Sequence, residues 1–105
     1  MTTSQILREA RKLIEKPENW TQGAYARDKD GNEVDVCDDA ACCFCSMGAV
    51  ALAAGGQQNG ALARMELTKF TLAGVAAFND VYSHAEVLSL FSKAIAAAEA
   101  SEAGR

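Results

Sequence analysis

At 105 residues with Lys+Arg 10 against Asp+Glu 14, the chain has the size of one domain and a net charge of −4. It therefore lacks the basic surplus that draws proteins onto nucleic-acid backbones. Hydrophobic residues make up 50% of it but aromatic ones only 7%, so alanine-rich packing should give a thin core, and added buried surface from a second copy argues for a homodimer.

The opening, Met1-Thr2-Thr3-Ser4-Gln5, has no basic region followed by an apolar run, so no secretory signal is read there. Thr2 and Gln5 fit a capping box, in which a hydroxyl and a carboxamide satisfy free backbone donors at a helix start. Ile6, Leu7, Ala10, Leu13 and Ile14 follow at helical spacing, which predicts a helix over 2–16 stopped by Pro17. Arg8, Arg11, Lys12 and Lys16 alternate with Glu9 and Glu15 and read as its solvated face, not as a phosphate track.

Residues 21–36 read as a β-hairpin centred on Asp30-Gly31, a pair that tolerates the positive φ of a tight turn. A central turn pairs Tyr25 with Val36 and Arg27 with Val34, and the hairpin must lean on the helices, through Trp20. Asp38 or Asp39 is the expected cap of a central helix over 40–54, which is apolar nearly all round and ends at Gly55-Gly56. Gly48 on that helix predicts a close backbone approach, with the first or last helix as the neighbour.

Beyond Gln57, helices are expected across 61–78, with Phe70, Val75 and Phe78 inward and Asn79-Asp80 as a turn. Ser83 and Glu86 form a second capping box for a last helix over 84–100, its core side marked by Val87, Leu88, Phe91, Ala94, Ile95 and Ala98. The tail from Ser101 to Arg105 should fray. The fold class is mainly α (α+β), four to five helices around a buried central helix with one small hairpin, in a single domain over 1–105. The most apolar run, Ala40 to Ala54, is shorter than the roughly 20 residues that span a bilayer. A cytoplasmic protein with reduced thiols is the expectation.

Chemistry concentrates in Cys37, Cys42, Cys43 and Cys45. Cys37, Cys42 and Cys45 could form part of a metal site, but no second knuckle follows to complete one. Cys43 or Cys45 could serve as a nucleophile with His84 as base and Asn79 or Asp80 orienting it. Cys42 near the expected helix start is a further thiolate candidate, and Asp38 and Asp39 would raise a neighbouring thiol's pKa rather than lower it. Free cysteine also behaves as a small hydrophobe, and a structural role in a buried helix is preferred for this set. Residues 28–39 resemble a calcium loop only superficially, with the glycine too early and aspartate at the end. Gly55-Gly56 and Gly60 lack the lysine and spacing of a phosphate loop, and no cofactor is expected.

Several segments together carry a resemblance: Leu13-Ile14 leading to Trp20-Thr21-Gln22-Gly23, the Asp30-Gly31 turn, Phe44-Cys45-Ser46-Met47-Gly48-Ala49-Val50, Phe78-Asn79-Asp80, and Glu86-Val87-Leu88 with Ala94-Ile95. Over residues 6–98 the chain resembles a family of small uncharacterised proteins of bacteria and their phages, grouped as a domain of unknown function. The resemblance implies special positions for Trp20, Cys45, Gly48, Asn79 and Asp80, and a polar pocket near Cys45 if Asn79-Asp80 lies beside the central helix. With acidic charge and no complete catalytic set, the expectation is a non-catalytic accessory domain that binds an unidentified protein partner. An inhibitor of a host defence protein fits that description, and the thiol-dependent hydrolase or transferase and the cysteine-bound metal domain are the alternatives.

Overall fold

The computed structural model describes residues 1–104, a helical body with a two-stranded antiparallel sheet on one side. Helix α1 (Thr3–Ile14) starts with the capping box: Thr2 Oγ1 accepts from the Gln5 amide at 3.2 Å, and the Thr2 amide donates to Gln5 Oε1 at 2.8 Å. Its buried stripe is Ile6, Leu7, Ala10 and Ile14. The helix closes at Ile14, and Pro17 opens a 3-10 turn, Pro17–Asn19.

The expected helical fold with one small antiparallel β element is present, but its strand pairing differs from the hairpin expected over 21–36. Strand β1 (Ala26–Arg27) pairs with β2 (Cys43–Phe44), in the register Ala26 to Phe44 and Arg27 to Cys43. The turn at Asp30-Gly31 is present, with Gly31 at φ +84°. It is wider than a two-residue turn because the Asp28 carboxylate accepts from the amides of both Asp30 and Asn32, each at 2.9 Å. The returning arm makes a bridge between Arg27 and Glu33, one residue off the expected Arg27–Val34 pairing, and then leaves the sheet.

The central helix is α2 (Ser46–Ala54), shorter than the 40–54 expected. Asp38 organises a turn instead of capping it, accepting from the Ala40 amide at 2.8 Å. Residues 42–45 are held extended because the Cys42 amide donates to the Arg27 carbonyl at 2.9 Å and the Cys45 amide to the Tyr25 carbonyl at 3.2 Å. An apolar strand feeding an apolar helix has no break in hydropathy to mark the junction. Gly55 ends α2 in the left-handed conformation, at φ +79°.

Two short helices follow, α3 (Ala61–Thr68) and α4 (Val75–Val81). Asn79 and Asp80, expected as a turn, lie inside α4. Val75 is buried, whereas Phe70, expected inward, is 40% exposed in the connection between these helices. Helix α5 (His84–Ala103) begins with its Ser83–Glu86 capping box and buries Val87, Leu90, Phe91, Ala94, Ile95 and Ala98, with Leu90 on the core side and Leu88 only partly buried. The core centres on Phe91, Leu7, Ile14, Leu67, Val50 and Val87.

The C-terminal segment does not fray as expected. The Glu102 carboxylate accepts from the Ser4 amide at 3.1 Å and from the Ser4 hydroxyl at 2.6 Å, tying the end of α5 to the start of α1. A carboxylate there also complements the positive end of the α1 dipole. Arg105, the last residue of the expected frayed tail, lies outside the described residues. No described helix is long and apolar enough to cross a membrane.

Candidate functional site

Three segments far apart in sequence meet at the N-terminus of α2. The first is Trp20 to Gly23, the second is Cys45-Ser46 with Gly48, and the third is Asn79-Asp80 on α4. Asn79 is the hub and is 1% exposed. Its side-chain oxygen accepts from the Trp20 indole at 2.8 Å, the Ser46 amide at 2.9 Å and the Ser46 hydroxyl at 2.7 Å. Its amide nitrogen donates to the Thr21 carbonyl at 3.0 Å. An orphan donor of the first turn of α2 is thus satisfied by a side chain from another helix.

The neighbouring contacts fix the same junction. Gln22 Nε2 donates to the Asn79 carbonyl at 3.0 Å, which satisfies an acceptor in the last turn of α4. The Gly23 amide donates to Asp80 Oδ1 at 3.0 Å. The Arg27 guanidinium donates to Thr21 Oγ1 at 3.1 Å, to the Gly31 carbonyl at 3.0 Å and to the Gln22 carbonyl at 3.2 Å, so its charge is spent on loop carbonyls and a hydroxyl.

Cys45 is the N-cap of α2, and its Sγ accepts from the Gly48 amide at 3.3 Å. Serine, threonine, aspartate and asparagine usually fill that position. Only 6% exposed, Cys45 forms part of the floor of a 310 Å³ cleft whose wall includes Tyr25, Glu33 and Asp80. Burial pushes the thiol pKa up, the Gly48 and Met47 amides pull it down by less, and the Asp80 carboxylate adds to the rise. The cleft therefore holds a protonated thiol beside two carboxylates.

His84 is placed elsewhere. Its Nε2–H donates to the Ile14 carbonyl at 2.6 Å, and its ring lies against Trp20 with centroids 5.3 Å apart. The imidazole fastens the start of α5 to the end of α1, and it does not line the Cys45 cleft. Cys43 is half-buried, its thiol donating weakly to the Arg27 carbonyl at 3.7 Å. Burial raises its pKa, and the adjoining Cys42 thiol adds to that rise. The set Cys43 or Cys45, His84, Asn79 and Asp80 thus divides: Cys45, Asn79 and Asp80 meet, while His84 packs with Trp20.

Cys37 and Cys42 are exposed. Among the described residues, no group of three or more His, Cys, Asp or Glu side chains is placed to hold a metal ion, so Cys37, Cys42 and Cys45 do not come together as ligands. Sequence reasoning missed Ser46 and Thr21 as partners of Asn79. A serine inside an apolar run was the available signal, since a hydroxyl there needs a buried partner.

These positions predict an order of thiol reactivity. Iodoacetamide at neutral pH should label Cys37 and Cys42 in the native protein, with Cys43 slower and Cys45 modified only on unfolding. Rapid native labelling of Cys45, mapped by peptide mass, would show an activated thiolate instead.

The chain belongs to a family of unknown function, DUF6197, whose profile matches residues 1–97. No curated protein and no solved structure matches it.

Proposed function

We propose that this member of a family of unknown function is a non-catalytic protein-binding domain of bacterial or phage origin, working in the cytoplasm without a cofactor. The observation that carries this reading is an apolar face on the α3–α4 connection and α4. Leu72 is fully solvent-exposed and Val81 is 75% exposed, beside a half-exposed Phe70 and a Phe78–Tyr82 ring stack with centroids 4.3 Å apart. Together they border a 260 Å³ groove. Grouped side chains of this kind on a small domain mark interaction surfaces, whereas scattered ones do not.

Charge narrows the partner class. The net charge of −4 suits a partner whose contact surface is apolar at its centre and basic around it. Host proteins that bind nucleic acid have such surfaces, and covering one would inhibit a defence protein of that kind without the domain touching nucleic acid itself. Thiol-dependent hydrolysis or group transfer is the competing reading. It needs a base beside Cys45 or Cys43, and the groups found there are the Asp80 and Glu33 carboxylates in the cleft of the first thiol and the Arg27 carbonyl for the second.

Leu72→Glu and Val81→Glu test the proposal, because both sites are exposed and each change should alter stability by no more than about 0.5 kcal/mol. Wild-type protein should recover a specific partner from bacterial lysate in near-stoichiometric amount, and either variant should lose it while melting like wild type. Equal recovery by the variants would sink the groove as the contact face. Recovery of nothing but the protein's own second copy, lost in Leu72→Glu, would replace a foreign partner by a homodimer.

A further inference from the structure

The two carboxylates that wall the Cys45 cleft have no cation of the protein's own. Among the described residues, Glu33 and Asp80 take part in no ion pair, and no lysine or arginine lines the cleft. Arg27 on β1 has its guanidinium committed to two loop carbonyls and a hydroxyl. Asp80 is held in place: its Oδ1 accepts from the Gly23 amide at 3.0 Å and from Asn79 Nδ2 at 3.4 Å, which leaves Oδ2 for a further donor. Segment 28–39, which supplies Glu33, carries five aspartates besides, against one base, Lys29, so the field at the cleft is negative.

The cleft also has a polar group without a full set of partners at its floor. Cys45 is more than nine-tenths buried, and its Sγ accepts from the Gly48 amide, while its S–H meets no acceptor among the described residues. Ala24 and Ala76 line the same 310 Å³ space with small apolar side chains, and Tyr25 lines it too. Ala76 and Asp80 stand one turn apart on α4, whereas the apolar groove takes Ala77 and Val81, so the two surfaces use different sides of that helix.

We propose that the Cys45 cleft binds a compact organic cation, a guanidinium on a short aliphatic stem, with its head between Glu33 and Asp80. A guanidinium has donors enough for two separate carboxylates, and its planar face suits an aromatic neighbour such as Tyr25. The stem lies against Ala24 and Ala76, and the Cys45 S–H is a donor for an acceptor carried on it. The volume is at the small end of ligand sites, which run from about 300 to 1,000 Å³. The head can arrive on a free small molecule or on an arginine side chain of a protein.

Butylguanidine, its neutral isostere butylurea and the capped residue N-acetylarginine amide are the probes, titrated into the full, isotope-labelled chain at neutral pH and followed by amide chemical shifts. Butylguanidine should shift Gly23, Cys45 and Ala76 together, and butylurea should bind on the order of tenfold more weakly or worse. Glu33→Gln and Asp80→Asn should each weaken butylguanidine on the order of tenfold, the worth of a charge-assisted bond partly open to water. Asp39→Asn removes the same charge outside the cleft and should change binding by less than about twofold. Tighter binding of the capped arginine than of butylguanidine assigns the cleft to a protein side chain, and the reverse order assigns it to a free small molecule. Glu33 is exposed and makes no side-chain bond among the described residues, so Glu33→Gln should fold even if Asp80→Asn does not, and a thermal melt checks both. Equal binding of butylurea, shifts confined to 28–39 without Cys45 and Ala76, or a loss with Asp39→Asn as large as with Glu33→Gln would each overturn the site.

Discussion

Gly48→Ala should lower the melting temperature on the order of 10–20 °C, although alanine is the better helix former by about 1 kcal/mol. A Cβ at Gly48 would lie 2.1 Å from the Tyr25 carbonyl oxygen and 2.9 Å from its carbon. Those are backbone atoms, so no rotamer change relieves the contact. That carbonyl also accepts the Cys45 amide at 3.2 Å. Moving it strains the bond that holds the chain extended just before α2, next to the β1–β2 ladder. Overpacking of this kind costs about 1–3 kcal/mol and occasionally more, and a contact with no slack belongs at or above the upper end. A net loss of about 2–3 kcal/mol remains after the gain in helix propensity. Gly48→Leu must cost more again. If Gly48→Ala melted at or above wild type, the approach of α2 to β1 would have to be loose.

The need for glycine at position 48 was legible, because a glycine inside a helix that is apolar nearly all round is costly unless something presses against it. Its neighbour was not legible. Helix-on-helix contact was the natural expectation from the alanines of α1 and α5, yet the neighbour is the backbone of a loop leading into β1. A two-residue strand has no periodicity to detect, so β2 was absorbed into the helix that follows it. The helix starts at Thr2 and Ser83 were readable because a capping box is a local device, complete within four consecutive residues. The attachment of Glu102 to Ser4 spans the whole domain, and no local pattern announces it. The same division runs through the site. Cys45, Asn79 and Asp80 were readable from the residues as members of a thiol set and Trp20 as an anchor, but only the family resemblance grouped the four, since the bonds joining Trp20, Gln22 and Gly23 to α4 cross more than half of the chain. Phe70 was misplaced for a related reason: its apolar character suits the core and an exposed binding face equally.

Asn79→Leu should be the most damaging polar substitution in the protein, at about 3–5 kcal/mol. Leucine is close in size, so the loss comes from hydrogen bonding and not from a cavity. The side-chain oxygen of Asn79 answers the Trp20 indole and both the amide and the hydroxyl of Ser46, and its nitrogen answers the Thr21 carbonyl. Ser46 is fully buried, so water cannot easily replace the lost acceptor there. Each buried polar group left without a partner costs about 1–3 kcal/mol, and domains of this size are stable by only about 5–15 kcal/mol in total. The chain has a single tryptophan, so its emission reports directly on the bond to Asn79 and should change in the variant while the protein is still folded. Trp20→Phe removes the indole donor and separates hub from bystander. If Asn79 holds the three segments as one unit, the double variant should be less destabilised than the sum of the two single changes by at least about 1 kcal/mol. Simple additivity would mean that Trp20 and Asn79 stabilise the junction independently, and the convergence at the start of α2 would then have no cooperative role in holding the Cys45 cleft open.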